Sequence, residues 1–145
     1  MKIFDSTLGN LERALDARAL RHGILAGNLA NANTPGFAPR EVDFRTAMEQ
    51  AGAARAAASS APGAIPVPSP GAAEIPLAAA DLRPASPGSP VVAAPGASAG
   101  IDGNAVDVDR ALTALAENAL QYGATARAAG KKLAILRYAA SDGVG

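Results

Sequence analysis

From Val108 to Leu136 a hydrophobic or small residue returns at alternating steps of four and three: Val108, Leu112, Leu115, Ala119, Tyr122, Ala126, Ala129, Leu133 and Leu136. Four unbroken repeats of this kind admit one local structure, a helix with a single sticky seam. Asp107 is suited to cap its start, and Asp109 places negative charge in the first turn, where the helix dipole favours it. Lys131, Lys132 and Arg137 gather toward the opposite end, and Ser141-Asp142-Gly143 is a stop signal. The pattern predicts a helix over about 107–140, roughly 50 Å long at 1.5 Å per residue.

The opposite end of the chain carries a matching seam: Phe4, Leu8, Leu11, Leu15, Arg18, His22, Leu25, Leu29 and Ala32, again in steps of four and three. Arg18 and His22 interrupt it. Ala17, Leu20 and Ile24 form a second stripe on a neighbouring face. This helix should run from about 6 to 32. Asn33-Thr34-Pro35-Gly36 then breaks it, because the residue before a proline is pushed out of the helical region.

Between the seams the composition changes. Residues 51–100 hold 18 Ala, 9 Pro, 6 Gly and 6 Ser, and only Arg55, Glu74, Asp81 and Arg83 are charged there. So many prolines suit neither helix nor interior strand, so the block reads as a flexible or partly extended linker. Edge strands fit at two short islands, 73–77 and 91–94. The expected organisation is an N-terminal helix over 1–34, a turn and short connector over 35–50, a flexible middle over 51–100 and a C-terminal helical region over 101–145. The fold class is mainly α: two long terminal helices pair as a coiled-coil hairpin around an irregular Pro/Ala-rich middle with room for a few short strands.

This hairpin is poor in large side chains. Apolar residues make up 49% of the 145, but 38 are Ala, and small side chains bury little area. Gly9, Gly23, Gly27, Gly123 and Gly130 each weaken a helix by about 0.5–1 kcal/mol relative to Ala. A chain this marginal on its own is expected to complete its core with neighbours. The expected mechanism is ordering on assembly, in which polymer contacts offset the entropy of fixing the terminal helices.

Composition also excludes functions. There is no Cys, hence no disulfide scaffold, thiolate zinc site or Cys nucleophile. A single His cannot make a multi-His metal centre, and no nucleophile or orienting acid accompanies His22. Thirteen basic and thirteen acidic residues cancel, removing the usual electrostatic case for nucleic acid or anionic lipid. The arginines of the first helix, Arg13, Arg18 and Arg21, are offset by Glu12 and Asp16. Glu41 with Asp43, and Asp107 with Asp109, are acidic pairs capable of acid–base or cation chemistry, although the second pair fits a helix start better. No catalytic, cofactor-binding or metal-binding residue is expected.

Asn28 and Asn31 stand out, since Asn is a poor helix residue. Their amides could bond to neighbouring backbone and fix a register, as buried Asn does in coiled coils, with Phe37 folding back as an anchor. An ordinary helix C-terminus is the plainer reading.

The run Asn28-Leu29-Ala30-Asn31-Ala32-Asn33-Thr34-Pro35-Gly36-Phe37 closely resembles the N-terminal signature of the bacterial flagellar rod and hook axial proteins. Ala17 to Leu25 and Ala38 to Phe44 resemble the proximal-rod members. At the other end, Gly103-Asn104-Ala105-Val106-Asp107-Val108-Asp109-Arg110 and Glu117-Asn118-Ala119-Leu120-Gln121-Tyr122 resemble the C-terminal region of the same family. The middle block does not match. The resemblance implies a structural subunit of the basal-body rod that polymerises through its terminal helices and transmits torque across the periplasm. It further implies export through the flagellar type III apparatus without a cleaved signal. Implied partners are further copies, neighbouring rod proteins, the rod–MS-ring adaptor FliE and the MS ring, with no direct membrane insertion. Leu8, Leu11, Leu15, Leu25, Leu29, Val108, Leu112, Leu115, Tyr122, Leu133 and Leu136 are the expected assembly seam. The alternatives are another rod-family subunit, or a soluble coiled-coil adaptor or export chaperone.

Overall fold

Helix α3 spans Val108–Ala140, within a residue of the expected limits. Asp107 adopts an extended backbone, and its carboxylate accepts the Arg110 amide at 3.0 Å. At the far end the Ser141 amide donates to the Arg137 carbonyl, closing the last turn. The computed structural model describes residues 3–59 and 88–141; the expected strand at 73–77 lies outside them.

Helix α1 covers Ile3–Ala30. It ends two residues earlier than expected because the chain tightens beyond Ala30. The Asn31 amide is shared between the Gly27 and Asn28 carbonyls, and the Ala32 amide turns to Leu29. The two long helices run antiparallel. Asn118 of α3 meets Arg18 of α1, whereas Asn104, just before α3, meets the residues just after α1.

Strand β1 (Arg40–Val42) pairs antiparallel with β2 (Val91–Ala93), with Glu41 opposite Val92. Flanking bonds from Asp43 to Pro90 and from Ala94 to Pro39 extend the ribbon at both ends. β2 falls within the expected island at 91–94. A two-stranded ribbon is marginal alone; here it rests on α1.

Helix α2 (Phe44–Ser59) corrects the expected organisation, which placed only a turn and connector over 35–50 and linker from 51 onward. Two local causes account for it. Asp43 caps the start, accepting the Arg45 amide at 3.0 Å and the Thr46 hydroxyl at 2.8 Å. The alanine-rich run that follows favours helix and meets no proline before Pro62. Averaging composition over fifty residues hid that run.

The core lies where α1, β1 and α2 meet. Ala17, Val42 and Ala47 are buried together, with Leu20, Ile24, Phe44 and Met48 packed around them. The second stripe of α1, Ala17, Leu20 and Ile24, therefore faces β1 and α2, while its other face meets α3.

Candidate functional site

Beyond Ala30 the carbonyls at the end of α1 need donors, as at any helix C-terminus. Asn104 supplies them from the other end of the chain. Its amide nitrogen lies 3.1, 2.7 and 2.9 Å from the carbonyls of Asn31, Ala32 and Thr34, and its side-chain oxygen accepts the Val106 amide at 2.8 Å. An NH2 group has two protons, so one is shared among these acceptors. Asn104 is buried, so these bonds are shielded from competing water.

Backbone bonds close the same junction. The Gly36 amide donates to Asp102 and the Ala105 amide to Phe37, each at 3.1 Å. Gly36 and Gly103 both have left-handed φ, +73° and +76°, and a Cβ on Gly103 would sit 3.4 Å from the Gly36 Cα. Left-handed backbone and close approach coincide, which explains glycine on both sides. The signature therefore divides by role. Asn33, Thr34, Pro35 and Gly36 form the exposed turn, Phe37 is half-buried, and Asn104 reaches across to hold them.

Asn28 makes a second clasp. It accepts the Arg40 amide at 2.9 Å and donates to the Arg40 carbonyl at 2.6 Å, so its side chain pairs with β1 as another strand would. Asn31 stays local, donating to Gly27 and accepting from the Thr34 hydroxyl. Of the two residues expected to reach neighbouring backbone, only Asn28 leaves its own helix end.

Asn118 makes the third. It is 1% exposed and donates to the Arg18 carbonyl at 2.9 Å. Its side-chain oxygen and the Arg18 Nε are both buried without a hydrogen-bond partner, each at a typical cost of about 1–3 kcal/mol. The Arg18 guanidinium also bonds Gln121 of α3 and lies 5.0 Å from the centre of the Phe44 ring of α2. The polar interruption of the N-terminal seam thus joins all three helices. His22, the other interruption, is exposed.

The acidic pairs have structural roles. Glu41 grips Arg21 through two bonds, 2.9 and 3.0 Å, tying β1 to α1. Burial pushes the Glu41 carboxyl up, but the Arg21 hydrogen bond, the Val42 amide and the charges of Arg21 and Arg110 outweigh it, leaving it below the ordinary glutamate range. The Asp43 carboxyl is lowered by its Thr46 hydroxyl and amide bonds, as its capping role requires. Glu117 accepts from Gln121 at 2.9 Å and lends negative charge near Arg21. Among the described residues no three His, Cys, Asp or Glu side chains cluster as metal ligands. A groove of about 250 Å³ between α1, the chain after β2 and the start of α3 is lined by Leu25, Pro39 and Ala111, with both charges represented, Arg40 and Arg110 against Glu41 and Asp107.

The expected seam divides between the two helices. On α1, Leu25 is buried, and Leu8, Leu11, Leu15 and Leu29 are half-buried. On α3 only Leu115 and Leu136 are half-buried, while Val108, Leu112, Tyr122 and Leu133 are 42–52% exposed. The line facing α1 instead passes through Ala111, Ala114, Asn118, Gln121 and Thr125. A coiled-coil hairpin built on these matching seams would bury them against each other, and that expectation is corrected. α3 is turned so that a more polar line faces inward, because Asn118 and Gln121 find partners on Arg18 there.

Sequence reasoning missed Arg40, Arg21 with Glu41, and the Phe44 contact. A three-residue strand carries no period, and partners twelve or twenty residues away leave no spacing signal. The reach of Asn104 across some seventy residues was equally invisible.

Three asparagines that bond backbone rather than ligand, two long antiparallel helices and an outward apolar run define a helical subunit built for packing. The family described as flagella basal body rod protein matches residues 8–37, which take in all but the first five residues of α1 and its signature turn. The chain is 33% identical to the flagellar basal body rod protein FlgB of Escherichia coli strain K12, over 81% of this chain and 80% of that one. It is 37% identical to the FlgB of Yersinia enterocolitica, over 81% of each, and 29% identical to that of Bacillus subtilis strain 168, over 84% and 83%. This chain belongs to the FlgB family of flagellar basal-body rod proteins.

Proposed function

We propose that this chain is a structural, non-catalytic subunit of the flagellar basal-body rod that assembles through its terminal helices and helps pass torque across the periplasm. The observation that carries this reading is the outward run on α3, where Leu112, Tyr122 and Leu133 are each at least 42% exposed along a 33-residue helix. Family membership supplies the setting. Further copies, the neighbouring rod proteins, FliE and the MS ring are the partners this reading requires. Delivery through the flagellar type III apparatus is its route out of the cytoplasm. The apolar run supports assembly in particular, because half-exposed leucines at helical spacing gain most from a second surface.

A deletion strain complemented with variants tests it, scored for motility and for basal bodies by electron microscopy. Leu112→Asp should leave the purified chain as helical as its parent while abolishing rods, since the charge meets water in the free chain and apolar surface in the polymer. Leu115→Asp strikes a half-buried position and should weaken the helix pair as well as assembly. Normal swimming with Leu112→Asp would refute assembly through this face. Complete basal bodies in the deletion strain would favour the cytosolic adaptor or chaperone reading.

A further inference from the structure

α3 had two faces it could have turned toward α1. With successive residues about 100° apart, Val108, Leu112, Ala119 and Ala126 lie on a line roughly 80–120° around the helix from Asn118. That line is exposed, while the line through Ala111, Ala114, Asn118, Gln121 and Thr125, continued by Ala129 and Leu136, faces inward; in its middle, from Asn118 to Thr125, the inward line is the more polar of the two. Around Asn118, hydrophobic burial alone would favour a roll of about 100° that turns Leu112 and Ala119 inward. The inward line also leaves the Asn118 Oδ1 and the Arg18 Nε buried without partners. Something specific must hold the helix in this rotation.

We propose that Asn118 is a positioning residue that sets the rotation of α3 about its own axis. Its amide donates to the Arg18 carbonyl at 2.9 Å, a bond with one direction and one depth. The Arg18 guanidinium bonds Gln121, one turn further along α3. Two points a turn apart fix rotation as well as register. Arg18 is in turn held over the Phe44 ring by α2, so the α1–α2 unit dictates how α3 is presented. A buried Asn that selects one packing among several at a cost in stability is an attested device in helical assemblies. The consequence that the apolar line stays free for a neighbouring copy rests on the assembly reading; the rotation itself does not.

The chain has no natural cysteine, so single thiols report rotation directly. Ala114→Cys lies on the half-buried inward line and Ala119→Cys on the exposed outward line. Each is made with Asn118 intact and with Asn118→Leu, and its reaction rate with a small thiol reagent is measured in the monomer, with an osmolyte added until circular dichroism shows both long helices formed in the parent. Removal of the amide should let α3 roll, slowing Ala119→Cys and speeding Ala114→Cys, each by roughly tenfold on the scale of local protection. Asn118→Asp keeps the shape but removes the donor, and should not restore the native ratio. Unchanged rates in both backgrounds would overturn the proposal. So would fast reaction at both sites with loss of helicity, since Asn118 would then hold the fold together rather than choose between two packings. These readouts come from the monomer, so their failure is separate from a failure to build rods.

Discussion

Replacing Asn104 with Ala removes the side chain that makes the most hydrogen bonds between the two terminal blocks, and its cost can be worked from the geometry. The NH2 group serves three carbonyls with two protons, and the side-chain oxygen holds the Val106 amide. Three effective hydrogen bonds are lost, each worth about 1 kcal/mol net. The stranded carbonyls differ in their access to water. Thr34 is exposed and rehydrates, whereas Asn31 and Ala32 are half-buried and do so less well. Water recovered at Thr34 lowers the total, and incomplete solvation at the other two raises it. The expected loss is about 2–3 kcal/mol, roughly a 30- to 150-fold change in the folded-to-unfolded ratio.

Urea titration of the purified chain followed by circular dichroism measures this. Hydrogen exchange locates it: the Gly36 and Ala105 amides, which bond across the junction, should lose protection before the Ala47 amide at the start of α2. Asn104→Asp is the sharper control. It keeps the acceptor for Val106 but turns a carboxylate toward carbonyl oxygens, so it should cost more than Ala. A loss under about 0.5 kcal/mol for Asn104→Ala, within the range of ordinary surface changes, would refute the clasp as the link between the blocks.

Gly103→Ala places a side chain on backbone at φ +76° and within 3.4 Å of Gly36; it should cost about 1–2 kcal/mol, and Gly103→Asn, which tolerates that backbone better, should cost less in the same urea titration. The Arg21–Glu41 clamp has a defined pH dependence. The folded Glu41 carboxyl lies below its ordinary range, so its contribution is complete above about pH 4.3 and is lost as the pH falls through the folded value. Stability compared between the parent and Glu41→Gln should accordingly differ most near neutrality and converge in acid. Asn28→Ala should raise exchange at the Arg40 amide, while the Arg21–Glu41 clamp and the buried Val42 keep β1 on α1 and α3 is little affected.

The two ends of the chain were legible for a simple reason: their information is local. α3 is written in its spacing and in Asp107, both within a turn of where they act. α1 was also clear apart from its last turn, where the shared Asn31 amide tightens the helix before the proline forces it to end. α2 was hidden because its signal, Asp43 followed by alanines, occupies the first part of a block whose prolines come later. β1 was hidden because three residues cannot show a period of two. The junction was half legible. The signature asparagines were conspicuous, but Arg40 and the carbonyls at the end of α1 are backbone partners, and backbone groups are the same in every residue. No sequence pattern can show which carbonyl an amide will find.

The rotation of α3 was misread for a deeper reason. Reading a seam assumes that a helix buries its most apolar face inside its own chain. That assumption fails when directional polar bonds settle the internal contact and apolar area is left over. Here Asn28, Asn104 and Asn118 all close the molecule by bonding main-chain groups, which constrains geometry while using little apolar surface. The leucines and tyrosines of α3 are left half-covered. The division implies two separable classes of variant. Changes at the asparagines should alter the stability or internal geometry of the free chain, whereas changes at Leu112, Tyr122 and Leu133 should leave the free chain nearly unchanged and reduce only what requires a neighbour.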